Sequence, residues 1–182
     1  MNKAIAVVGM CGSGKSVVTQ MFEEKGFSKV YFGGVTMTEL KKSGLPVSEQ
    51  NERAMREGLR EKYGKGAFAL LLLDEITQKL AQGNVVLDGL YSWSEYKILK
   101  EKFGENLVVL AVVCNSGLRY ERLATRAVRP LTASQALSRD VAEIENSEKG
   151  GPISIADAYV TNNGGVEELR RQVADFMQKY GF

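Results

Sequence analysis

The sequence predicts an α/β fold of three layers, a parallel sheet with helices on both faces. Three observations predict it. Apolar strand-like runs alternate with helical patterns along nearly the whole chain. The runs Ala4-Ile5-Ala6-Val7-Val8, Val85-Val86-Leu87 and Leu107 to Val113 are valine-rich and unbroken, as strands buried on both faces require. Between the first run and the first helix stands Gly9-Met10-Cys11-Gly12-Ser13-Gly14-Lys15-Ser16, a complete G-x-x-x-x-G-K-[ST] phosphate-binding motif in its strand–loop–helix setting. A length of 182 residues, 44% of them hydrophobic, suits one domain spanning residues 1–182.

Strands are expected near 3–8, 29–33, 84–88, 107–113 and 157–161. Helices are expected near 14–25, 35–43, 48–62, 66–82, 93–103, 117–128, 134–147 and 165–180. In the first helix Val17, Val18, Met21 and Phe22 fall on one face. Gly26, Gly83 and Gly104 each end a helical pattern just before a strand, and Leu45-Pro46-Val47 turns the chain toward an N-cap at Ser48. The longest apolar stretch, Ala67 to Leu73, is far short of the ~20 residues that span a bilayer and reads as a buried helix. Gly150-Gly151-Pro152 reads as a loop.

Composition narrows the function classes. A net charge of +2 argues against general affinity for nucleic acid or an anionic membrane. Lys3 runs directly into a strand, which leaves no signal peptide, and Cys11 and Cys114 lack the spacing of a metal site or redox pair. Both read as reduced thiols of a cytoplasmic protein. The chain has no histidine, so imidazole bases, His-zinc sites and Ser-His or Cys-His nucleophile pairs are excluded.

The phosphate motif carries most of the chemistry. Its glycines let the backbone N–H groups of Gly9, Met10, Cys11, Gly12, Ser13 and Gly14 turn inward on phosphate oxygens at the positive end of a helix. Lys15 is placed to bridge the β- and γ-phosphates of a nucleoside triphosphate, and the Ser16 hydroxyl to ligate Mg²⁺. Asp88 ends the run Val85-Val86-Leu87 at the carboxyl edge of a strand, where it is a second candidate for the metal or its water shell. An aspartate that merely ends the strand is the alternative.

Arg119, Arg122, Arg126 and Arg129 are spaced to share one helical face before Pro130 stops the helix. They read either as a solvated face, with Glu121, Glu143 or Glu145 as partners, or as a lid over about 119–148 that neutralises the transferring phosphate. Arg126 and Arg129 lie nearest the turn and are the catalytic candidates. A second row, Arg53, Arg56 and Arg60, is either an acceptor site or a face salt-bridged to Glu49, Glu52 and Glu57. Arg139, Asp140, Glu143, Glu145 and Glu148 read as a solvated helix face, with a hinge or lid contact as the alternative. Thr161-Asn162-Asn163-Gly164 is a turn placed either to lie beside a nucleobase or simply to join strand and helix.

The order of these pieces resembles the adenylate-kinase-like P-loop kinases, closest to small AAA-type ATPases in that group and next to dephospho-coenzyme A kinases. The matching residues are Gly9 to Ser16, Gly33, Leu59-Arg60, Val85 to Gly89, Arg119 to Arg126, Arg139-Asp140 and Asp157 to Gly164. The resemblance implies a P-loop NTPase fold with a five-stranded parallel sheet, an arginine-bearing lid, an acceptor-binding helical region at about 34–65, and ATP with Mg²⁺ as donor. It also implies nucleotide contacts from Arg122, Asn162 and Gly164.

The departures fall in the acceptor half. Where such kinases carry Gly-Asp and then an arginine, this chain has Gly33-Gly34-Val35-Thr36-Met37, and Leu90-Tyr91-Ser92 stands where an acceptor-binding arginine is common. Gly34 supplies no general base. A phosphate acceptor needs none, which favours a nucleoside monophosphate held by Arg53, Arg56 or Arg60 beside Gly34. Dephospho-coenzyme A or another alcohol is the alternative, with Glu39 or Asp88 as base. A nucleotide-dependent switch that transfers nothing is the alternative of another class.

Overall fold

The valine-rich runs pair side by side. The computed structural model describes residues 2–182. Its strands are β1 (Ala4–Val8), β2 (Ser28–Tyr31), β3 (Val85–Asp88), β4 (Leu107–Val113) and β5 (Ala158–Thr161), all parallel in the order β2-β3-β1-β4-β5. The helices are α1 (Lys15–Glu24), α2 (Gly33–Lys42), α3 (Glu49–Tyr63), α4 (Ala67–Gln82) and α5 (Trp93–Phe103). They continue with α6 (Ser116–Thr125), α7 (Ala133–Glu145), α8 (Gly150–Ser154) and α9 (Val166–Tyr180).

The two-residue period of a strand divides the core into two layers. Ala4, Ala6 and Val8 of β1 join Val85, Leu87, Leu107 and Val109 in one cluster, against Leu59, Phe68, Leu72, Ile76 and Leu99 of the helices α3 to α5. Ile5 and Val7 face the other way, with Val86, Val108 and Leu110, onto Val18, Met21 and Phe22 of α1 and Leu169, Val173 and Phe176 of α9. The helices therefore cover both faces of a five-stranded sheet. β1 lies between β3 and β4, so the loop after β1 emerges at the carboxyl edge between the loops that follow those strands. Among the described residues, no helix is long and apolar enough to cross a membrane.

Three segments depart from expectation. β2 ends at Tyr31, and α2 already begins at Gly33, although the Phe32 amide still donates to Asp88 O at 2.9 Å. α6 ends at Thr125 instead of reaching 128, and Arg126 is extended. A proline ring clashes with the carbonyl four residues earlier, and for Pro130 that residue is Arg126. Gly150-Gly151-Pro152 lies in a short helix, not a loop, because a proline in the first turn gives up an N–H that has no helical partner.

Candidate active site

Val8 ends in the phosphate loop, whose curl depends on glycine. Gly9 (φ 150) has no space for a Cβ, which would strike the Val112 carbonyl, and Gly14 (φ 96) would strike the Asn162 amide. Within the loop the Ser13 amide donates to Met10 O at 3.2 Å, and the Lys15 ammonium donates to the same carbonyl at 2.9 Å. Two side chains brace the loop from outside. Asn162 Nδ2 donates to Ser13 O at 2.8 Å, and Arg119 Nη1 donates to Cys11 O at 3.0 Å.

Burial, then repulsion from Lys149, lowers the Lys15 pKa to about 8, against the opposing pull of Glu143, Cys11 and Asp88. Asp88 sits at the end of β3 in register with Val7, and its Oδ2 lies 3.5 Å from the ammonium of Lys29. Ser16, in the first turn of α1, is exposed. A hydroxyl and a carboxylate are the hard oxygen donors that Mg²⁺ takes together with phosphate oxygens and water, so Ser16 and Asp88 suit that ion. No three acidic, cysteine or histidine side chains converge as a metal site among the described residues, so a cation here depends on phosphate oxygens as well.

The expected four-arginine face does not form. Arg119 is buried, and its guanidinium pairs bidentately with Asp140 of α7 at 2.9 and 2.6 Å. Arg122 donates to Cys114 Sγ at 3.3 Å and to Asn162 Oδ1 at 3.4 Å, and so serves the Asn162 brace. Arg126 and Arg129 lie beyond the helix end. Arg126 Nε donates to Arg129 O at 2.7 Å, and Arg129 (φ 52) reaches Glu52 of α3 at 3.3 Å. In this conformation Arg126 is engaged within its own turn and Arg129 with α3. The turn they form instead ties the stretch after α6 to the helical region of α3.

For Arg139, Asp140 and Glu143, where the sequence allows a solvated face or a lid contact, the structure shows contact with the loop region, and it adds Lys149 to them. Asp140 and Glu143 are buried, and Glu143 Oε2 accepts the Cys11 N–H at 3.1 Å and the Lys149 ammonium at 2.8 Å. Its other oxygen lies 3.3 Å from Arg139 Nε. Burial pushes the Glu143 carboxyl up, but Lys149, Lys15 and Arg139 outweigh it and hold the group below its usual range. Lys149 is 3% exposed, and its ammonium lies 4.9 Å from the centre of the Tyr91 ring. Burial lowers its pKa. The sequence signal for this cluster was present but inverted. On α7 the inward set is Ala136, Asp140 and Glu143, while Leu137, Val141 and Ile144 face solvent.

In the second arginine row two members pair with acids of their own helix and the third packs on a ring of α4. Arg53 pairs with Glu57 at 2.8 Å and Arg56 with Glu52 at 3.4 Å, and the Arg60 guanidinium lies 5.3 Å from the centre of the Phe68 ring. Gly34 instead lines a groove of about 510 Å³ with Lys29, Tyr31, Thr38, Glu39, Lys42 and residues of α4. Lys29 belongs both to this groove and to the Asp88 ion pair, so the groove adjoins the phosphate site. At the far edge, Gly164 is exposed, and the neighbouring Asn163 accepts the Asn115 amide at 2.8 Å. The turns after β4 and β5 are thereby joined beside the loop.

A family model described as an AAA domain matches residues 5–148. A UPF0200 protein of Thermococcus kodakarensis is 34% identical over 174 residues, covering 93% of this chain and 93% of its own. A UPF0200 protein of Thermococcus onnurineus is 32% identical over 179 residues, covering 96% of each. The chain belongs to the UPF0200 family and contains an AAA domain. The UPF0200 chain is also similar to a solved shikimate kinase of Acinetobacter baumannii, at a TM-score of 0.60 and 18% identity over 98% of this chain and 93% of that one. It shares the fold of P-loop kinases. The AAA-domain match stops one residue short of Lys149 and well before Asn162, both of which this UPF0200 chain brings to the loop.

Proposed function

We propose that this chain is an ATP·Mg²⁺-dependent phosphotransferase acting on a small metabolite. The observation that carries it is the phosphate loop with Lys15 at its base, facing Asp88 at the adjoining strand edge. Lys15 and the loop amides would hold the β- and γ-phosphates, while Ser16 and Asp88 would hold the metal. The bound ion supplies charge neutralisation on the phosphate oxygens. Arg126 and Arg129 would reach the transferring group only after the turn at 126–131 leaves Glu52, which makes their contribution a property of a moved lid. The catalytic work of these residues is positioning and electrostatic stabilisation.

The acceptor would lie in the groove beside Gly34. A nucleoside monophosphate suits it if Arg53 or Arg56 exchanges its acidic partner, or Arg60 its place on the Phe68 ring, for the acceptor's phosphate. Glu39 in the groove wall supports the second reading, a hydroxyl acceptor with a carboxylate base, and the fold shared with a shikimate kinase is compatible with it. A coupled assay of ADP release across nucleoside monophosphates, pantetheine-bearing alcohols and polyols tests both. Acceptor-stimulated turnover is expected in one class, and Lys15→Ala should lower it by about a thousandfold or more. Slow ATP hydrolysis that no acceptor stimulates would replace the proposal with the nucleotide-switch reading.

A further inference from the structure

We infer that Lys149 and Arg139 are phosphate-binding residues brought to the loop from its far side, and that the Glu143 carboxylate stands in for the terminal phosphate until a triphosphate displaces it. The inference rests on the phosphotransferase reading above. Its starting point is geometric. One oxygen of Glu143 accepts both a phosphate-loop amide, Cys11 N–H, at 3.1 Å and the Lys149 ammonium at 2.8 Å, while the other faces Arg139 at 3.3 Å. A loop amide, an ammonium and a guanidinium converging on one anionic group is the donor set that a phosphate takes.

Charge argues the same way. Lys149 is buried, Lys15 stands half-buried at the loop's base, and Glu143 is the acid in contact with both Lys149 and Arg139. Asp140 is taken by Arg119 and Asp88 by Lys29, which leaves Glu143 as the carboxylate that faces this set. A phosphate group carrying more than one negative charge would complete the set.

The cluster is also held in place independently of Glu143. Asp140, one turn earlier on α7, is fixed to Arg119, which itself grips the Cys11 carbonyl. Lys149 is braced against the Tyr91 ring, and its amide donates to the Glu143 carbonyl at 3.1 Å. The Glu143 side chain can therefore swing away while its main chain and Lys149 stay where they are.

The test is titration of the Mg²⁺-supplemented protein with fluorescent analogues of ATP and ADP, with folding checked by circular dichroism. Lys149→Met should weaken ATP binding about tenfold or more while changing ADP binding much less, and Lys149→Arg should restore most of the loss. Glu143→Gln should tighten ATP binding severalfold, because a neutral amide competes less well for the ammonium. Equal losses for ATP and ADP in Lys149→Met would overturn the terminal-phosphate placement. A Glu143→Gln protein that does not bind ATP more tightly, or does not fold, would show a structural clamp and overturn the stand-in role. A wild-type protein that binds neither nucleotide would instead defeat the phosphotransferase reading itself.

Discussion

The two halves of the cleft are held together by different kinds of contact. Around the phosphate loop the contacts are buried and connect distant parts of the chain: Arg119 to Asp140, Asn162 to Ser13, Glu143 to Cys11. Across α2 and α3 they are largely exposed and local, as in Lys42 with Glu39 and Arg53 with Glu57. Buried pairs cost much when one partner is lost, whereas exposed pairs exchange with water at little cost. The donor half is thus built to keep one geometry. The acceptor half can give up its pairs to a ligand.

The largest expected effect lies in the donor half. Asp140→Ala strands the Arg119 guanidinium, and unfolding in urea should show a loss of about 3 kcal/mol. A loss well under 1 kcal/mol would place this ion pair with the exposed ones and erase the contrast.

A second, intermediate effect is set by pH. Lys15 gives up its proton near 10.5 as an ordinary lysine but near 8 in the fold. Between those values the unfolded chain holds a proton that the folded chain has released, so stability from this group rises with pH across that window. Below 8 both states are protonated, and the burial penalty is present in full. Ligand-free wild type should therefore gain stability relative to Lys15→Met between pH 8 and 10.5, read from urea midpoints at each pH. A flat difference would mean that the lysine is well solvated.

The smallest effect on stability belongs to the acceptor half. Arg53→Ala should leave the melting temperature nearly unchanged, because its pair with Glu57 is exposed on both sides. If α3 receives a phosphate-bearing acceptor, the same variant raises the acceptor KM and leaves kcat little altered. An unchanged KM would remove Arg53 from the acceptor site and favour the groove beside Glu39.

The layered architecture was legible because continuous apolar runs and helix-stop glycines are local signals, and the phosphate loop because its motif and its neighbours agree. The end of α6 was misplaced because the spacing of Arg119 to Arg129 fits a helix, while Pro130 acts back on Arg126. The Glu143 and Lys149 cluster was missed for a deeper reason. Hydrophobic periodicity assumes that apolar residues point inward, but α7 turns Asp140 and Glu143 inward and leaves Leu137, Val141 and Ile144 outside. A helix that buries its acids against a cationic loop defeats that assumption. Gly34 was legible as a departure from pattern, yet only the folded chain shows it lining a groove shared with Lys29 and Glu39.

The amide of Asn162 beneath the Ser13 carbonyl has a consequence for the order in which the molecule is made. Synthesis delivers the loop 149 residues before its brace. A nascent chain therefore carries the whole phosphate motif long before that motif has its final support. Nucleotide capture is expected to mature only once β5 has docked beside β4, so a ribosome-stalled chain ending before residue 158 should bind ATP weakly although its motif is intact.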